Sequence, residues 1–299
     1  MSGSAHNGGV HTFGGDWTTR KLEIVQSYLR AYTQVMKKQP FRTAYIDAFA
    51  GTGRRRPSDE ADDAAPLFDF SDFHRDAKPI LDGSARMALG VEPPFDRYIF
   101  MEADPVKCEA LRAQADDFPQ RSLDVQCGDA NDLLQALAAK DWRKHRAVLF
   151  LDPYGMQVAW STMKAVAATR AIDVWVLFPL GVATQRLLQR DGNVPPGWAA
   201  ALTRIFGTEA WRDEFYQPVQ EPALFDVPER LEKTATSQSI ASFYKRRLSE
   251  EFPVVAPNHV LLRNSTGCPL YMLCFAAGSP GKGGDVALRI ADHILKKEL

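Results

Sequence analysis

Tyr45-Ile46-Asp47-Ala48-Phe49-Ala50-Gly51-Thr52-Gly53 is the stretch on which the fold turns. A short apolar run stops at an acid and opens into two closely spaced glycines, the pattern of a β-strand whose carboxyl end bends sharply toward a ligand. With 43–49 as the first strand, the runs 97–102, 123–127, 147–151 and 173–179 read as four more. Val148-Leu149-Phe150-Leu151 and Val174-Trp175-Val176-Leu177-Phe178 are apolar without alternation, as strands covered on both faces are. Helical spacing fills the intervals at 105–115, 131–139 and 161–169, and strands alternating with helices imply right-handed crossovers and a parallel, doubly wound α/β sheet. A leading helix over 19–38 is predicted from Leu22, Val25, Tyr28, Leu29, Tyr32, Val35 and Met36, with Pro40 as its stop. Near the end, 259–263 and 270–276 flank Asn264-Ser265-Thr266-Gly267 and read as an antiparallel hairpin.

The whole chain fits one large domain. Its 299 residues are 45% hydrophobic, enough for a substantial core. Residues 1–16 are rich in Gly, Ser and His and read as a flexible arm, without the basic start and apolar run of a secretory signal. That leaves 17–299 as the domain, with insertions at about 54–83 and 182–247. The second is read as helical, with Trp198, Ile205, Phe206, Trp211 and Phe215 as core candidates. Basic and acidic residues number 36 and 37, a net charge of −1, so no global positive field marks the chain for nucleic acid, although a local patch is allowed. No apolar run approaches the roughly 20 residues that cross a bilayer. A soluble, cytoplasmic protein without membrane contact is expected. Cys108, Cys127, Cys268 and Cys274 lack the close pairing of a zinc or redox site and read as buried thiols in a reducing compartment. The six histidines form no ligand spacing, so no metal is expected.

The glycine loop lacks the Lys-Ser/Thr ending of a phosphate cradle, and Arg54-Arg55-Arg56 stands where a dinucleotide fingerprint has its third glycine. Strand ends elsewhere add to it. The second strand finishes Phe100-Met101-Glu102 and the third leads into Cys127-Gly128-Asp129-Ala130-Asn131. Glu102 is placed to grip a ribose diol, and Asp129, beside Ala130, to accept from an exocyclic amine. Either acid also suits a helix N-cap. The fourth strand ends Asp152-Pro153-Tyr154-Gly155. A planar amine has a delocalised lone pair; Asp152 and the Pro153 carbonyl would take its hydrogens while Tyr154 stacks on the flat acceptor. The same four residues suit an ordinary turn.

These motifs resemble class I S-adenosylmethionine-dependent methyltransferases. Phe49-x-Gly51-x-Gly53 with an acid at 47 is similar to the first motif of amino-methyltransferases acting on nucleic acid. By that resemblance Asp47, Phe49, Gly51 and Gly53 would hold the methionine part of the cofactor, Glu102 its ribose and Asp129 its adenine amino group. The implied fold is a seven-stranded, Rossmann-like methyltransferase sheet with the terminal hairpin antiparallel. Asp152-Pro153-Tyr154 resembles the Asp-Pro-Pro-Tyr signature, one proline short and with the tyrosine a residue early. Across about 17–280 the chain also resembles the three-Cys-motif partner proteins, TcmP, through Thr19-x-Lys21-Leu22, Tyr45-Ile46-Asp47-Ala48-Phe49-Ala50-Gly51-x-Gly53, Asp82-Gly83-Ser84 and Phe150-Leu151-Asp152-Pro153-Tyr154-Gly155. The cysteines in that name belong to a neighbour-encoded partner protein, which the resemblance makes a candidate partner here.

Lys21 on the leading helix is placed either to reach the cofactor carboxylate or to sit in solvent. Arg54-Arg55-Arg56 suits a phosphate backbone or a solvated flank balanced by nearby acids, and Lys245-Arg246-Arg247 reads as a solvated helix face. Three functions stay open: methyl transfer to an amino nitrogen of a nucleic-acid base; methyl transfer to a small molecule, a protein side chain or an RNA hydroxyl; and a catalytically silent subunit that binds a partner protein.

Overall fold

A computed structural model describes residues 16–50, 83–153, 155–219 and 231–299. The N-terminal arm to residue 15, Gly51, Gly53, Arg54-Arg55-Arg56, the first insertion to Asp82, Tyr154 and residues 220–230 lie outside the described residues.

The leading helix α1 (Asp16–Met36) precedes β1 (Arg42–Asp47). Then follow α2 (Ser84–Leu89), β2 (Arg97–Glu102), α3 (Pro105–Asp117), β3 (Leu123–Cys127), α4 (Ala130–Ala138), β4 (His145–Leu151), α5 (Trp160–Ala168) and β5 (Ile172–Phe178). A π-helical turn at Leu180–Thr184 opens the second insertion, which holds α6 (Pro196–Phe206), α7 (Trp211–Phe215), a ribbon of β6 (Tyr216–Pro218) with β7 (Leu231–Lys233), and α8 (Ser237–Glu251). The chain ends with β8 (Val254–Val255), β9 (Val260–Arg263), β10 (Pro269–Ala277) and α9 (Lys282–Lys296).

The main sheet runs β3-β2-β1-β4-β5-β10, with β8 and β9 both on the outer side of β10. The first five strands are parallel, and β10 is antiparallel to β5. This is the doubly wound, mostly parallel α/β sheet expected, closed by the antiparallel hairpin. Its outer edge is split, because β8 pairs Val254 and Val255 with one end of β10 and β9 pairs with the other, separated by residues 256–259.

Strand order reverses at β1, which has β2 on one side and β4 on the other. Ligands of open α/β sheets bind at the carboxyl ends of the two strands flanking such a reversal. Side-chain alternation then decides what each layer packs. Ile46, Ile99, Leu149, Leu151 and Val176 face α4, α5, α6 and α8, while Tyr45, Tyr98, Phe150 and Trp175 face α1, α2 and α9. Of the core residues expected in the second insertion, Ile205, Phe206, Trp211 and Phe215 are buried and Trp198 is partly buried against them.

Two local features carry their own explanation. Gly207 ends α6 at φ 69°, and a Cβ there would lie 2.1 Å from Trp160 Cδ1. Only glycine combines that dihedral with that closeness. Asp173 at the start of β5 is buried and accepts from the Tyr28 hydroxyl at 2.9 Å and the Gly278 amide at 3.2 Å, tying α1, β5 and the end of β10 together.

The thiol reading needs correction. Cys108 and Cys127 are joined in a disulfide between α3 and the end of β3; of the others, Cys274 is buried and Cys268 exposed. Parallel pairing of β2 with β3 brings the first turn of α3 over the end of β3, closing a gap of 19 residues to a Cα separation of 6.1 Å. The basic cluster on α8 is also more than a solvated face. Arg247 donates to the Phe206 carbonyl at 3.0 Å and lies over the Trp160 ring, while Arg246 pairs with Glu214.

Candidate active site

Asp47 closes β1, and Asp47 sits opposite Phe150 of β4. Asp152 follows two residues later, so alternation sends both carboxyl groups toward the layer of α1 and α2. Burial pushes the Asp47 carboxyl up to about 7; a hydrogen bond from Ser84 opposes this, the charge of Asp152 adds to it, and the Phe49 amide and Tyr45 hydroxyl oppose it further. The last two donors stand at 3.3 and 3.4 Å. Ser84, the first residue of α2, therefore reaches Asp47. Burial likewise raises the Tyr45 hydroxyl well above its ordinary range, and Asp47 and Asp152 add to it.

The cation of this cluster comes from α1. Lys21 is buried, and its Nζ contacts Asp152 Oδ2. One helical turn earlier on the same face, Trp17 lies with its ring centroid 5.3 Å from that Nζ. Trp17 in turn stacks on Tyr271 of β10 at 5.3 Å and 26°. Neither aromatic residue stood out in the sequence, because only the fold brings α1 against the terminal hairpin. Pro153 and Gly155 are buried beside Asp152.

The other two acids stand at successive strand ends, as expected. Glu102 is half-buried and accepts from the Asp104 amide at 2.9 Å through Oε1. Asp129 is exposed and caps α4, its Oδ1 accepting from Asn131 and Asp132 amides at 2.8 and 3.2 Å. Capping occupies one oxygen; no hydrogen bond from another described residue reaches the second. Ala130 is buried at the start of α4. The disulfide staples the segment beyond Glu102 to the residue two before Asp129.

Asn131 connects this half of the rim to the other. Its side chain donates to the Gln157 carbonyl at 3.0 Å and accepts from the Ala159 amide and the Thr162 hydroxyl, both at 2.9 Å. A lone asparagine in the first turn of a helix gives no hint of that reach.

No family model and no curated protein matches the chain. Among solved structures it is similar to a Legionella pneumophila strain Philadelphia 1 protein described under the family name DUF519, at 12% identity over 95% of this chain and 93% of that one, with a TM-score of 0.48. It is also similar to an O-methyltransferase from Bacillus cereus in complex with SAH, at 11% identity over 89% and 93% of the two chains and a TM-score of 0.41. A third is the N-terminal domain of EvdMO1 with SAH bound, at 9% identity over 84% and 79%, TM-score 0.37.

The rim as described thus holds four acids, Asp47, Glu102, Asp129 and Asp152, at the ends of four neighbouring parallel strands, with one buried lysine on the last of them. Among the described residues no group of three His, Cys, Asp or Glu side chains stands close enough to hold a metal ion, and no helix is long and apolar enough to cross a membrane.

Proposed function

We propose that this chain is an S-adenosylmethionine-dependent methyltransferase whose acceptor is an amino nitrogen of a nucleic-acid base. One observation carries the reading: the acids stand in order along the carboxyl rim of a parallel sheet, centred on the reversal between β1 and β4. The donor set fits the cofactor. Glu102 keeps Oε2 for a ribose hydroxyl and Asp129 keeps Oδ2 for the adenine amine, since each uses only its other oxygen on the backbone. Asp47, Phe49 and the glycines Gly51 and Gly53 would hold the methionine part, with Ala130 lining the adenine side.

When bound, S-adenosylmethionine supplies an electrophilic methyl group. Asp152 accepts a hydrogen of the acceptor amine and draws its lone pair out of conjugation, and the Pro153 carbonyl accepts the second. Tyr154 supplies a ring at the next position for stacking on a flat base. Asp152 then removes the proton that the alkylated nitrogen must lose.

Calorimetry with S-adenosylmethionine tests the first part: micromolar binding supports it, and no heat at high micromolar ligand sinks it. Radiolabelled methyl transfer to total cellular RNA and DNA tests the second. Label appearing only in protein or small molecules would leave the cofactor and overturn the acceptor.

A further inference from the structure

Lys21 is the one cation whose side chain contacts a candidate catalytic acid among the described residues. Two carboxyl groups crowd the buried end of β1 and β4, and burying such charge is costly unless it is paired. The lysine pairs with one of them only. Its Nζ meets Asp152 Oδ2, whereas Asp47 is held by Ser84, Tyr45 and the Phe49 amide. The ammonium is itself fixed, resting over Trp17, which is stacked on Tyr271. Among the described residues no hydrogen bond reaches Asp152 Oδ1.

We propose that Lys21 is a positioning residue for Asp152: it pins Oδ2, fixes the plane of the carboxylate and leaves Oδ1 turned to the methyl acceptor, in place of serving the carboxylate of the cofactor. This rests on the methyltransferase reading above. Lysine suits the task because an ammonium is a point charge that engages one oxygen, while the planar fork of arginine takes both. A cation at the same place with the wrong shape would therefore keep the charge balance and block the acceptor.

The full-length chain decides it through Lys21→Met, Lys21→Arg and Asp152→Asn. Calorimetry with S-adenosylmethionine should give K21M an affinity within about threefold of wild type, since the lysine is not a cofactor ligand. NMR of 13Cγ-labelled aspartate should show Asp47, assigned by its loss in Asp47→Asn, titrating higher in K21M, where the Asp152 charge has lost its counter-ion, and close to wild type in K21R. A tenfold or greater loss of affinity in K21M, or an unmoved Asp47, overturns the assignment. Should K21M fail to fold, D152N supplies the second measurement: Asp47 moves down toward the ordinary carboxylate range and the Lys21 amine becomes open to reductive methylation, while an amine as protected as in wild type overturns the pairing. Absence of cofactor binding by wild type would remove the methyltransferase reading alone; the Asp47 titration and the methylation still decide whether Lys21 holds Asp152.

Discussion

Asn131 donates its carboxamide hydrogen to the carbonyl of Gln157 at 3.0 Å, and this bond ties the first turn of α4, just after β3, to the loop after β4. The adenine side and the acceptor side of the proposed site are thereby held in one register by one side chain.

Asn131→Ala removes that tie and leaves the Ala159 amide and Thr162 hydroxyl without their acceptor. Buried groups left unpaired cost about 1–3 kcal/mol. Urea denaturation should show a loss of that size, and a change below a few tenths would mean that the two segments are held some other way.

Stability should fall as pH rises through the range where Asp47 and Asp173 titrate. Burial is the first cause for each and raises both from 3.8 to about 7. Native protein then binds more protons than unfolded protein between those values, so their contribution is complete below the unfolded value and lost as pH climbs through the folded one. The loss is on the order of 4 kcal/mol per carboxyl at most. Asp173→Asn should gain on wild type as pH goes from 4 to 8 in denaturant melts; a constant difference would contradict the shift.

Glu102 and Asp129 separate binding from capping. Glu102→Ala should weaken S-adenosylmethionine about tenfold to a hundredfold, the worth of a hydrogen bond to a charged group. Asp129→Asn keeps a good N-cap on α4 but its amide nitrogen cannot accept from the adenine amine. Lower affinity with an unchanged melting temperature is expected, and unchanged affinity would leave Asp129 a cap and nothing more.

Gly207→Ala meets two obstacles, a left-handed dihedral and a clash with Trp160. Together they should cost about 2–4 kcal/mol in urea unfolding. Retention of full stability would require the Trp160 ring to move off α6, visible as a red shift in its fluorescence.

Much of the fold was legible because each central strand is a continuous apolar run ending in polar residues. Residues 97–102 and 123–127 are strands to the residue, and β1, β4 and β5 differ from their expected limits by one or two positions. The rim acids were legible for the same reason, since an acid at the end of such a run has one place to go. Helix α9 was not predicted, although it carries a clear signal of its own, since Val286, Ala287, Ile290, Ala291, Ile294 and Leu295 recur at helical spacing. The ribbon of β6 and β7 has three residues a strand, too few to alternate visibly. Contacts across the fold left no local mark: Lys21 with Asp152, Trp17 with Tyr271 and the Cys108–Cys127 bridge join segments whose meeting depends on strand order.

The split outer edge bears on how this protein behaves in a crowd. Unpaired backbone groups along a sheet margin invite strands from other molecules, and long unbroken margins are the dangerous ones. Here Val254–Val255 and Val260–Arg263 offer two and four residues with a break between them. A foreign strand zipping along this margin would lose its register at the gap before gathering enough bonds to stay.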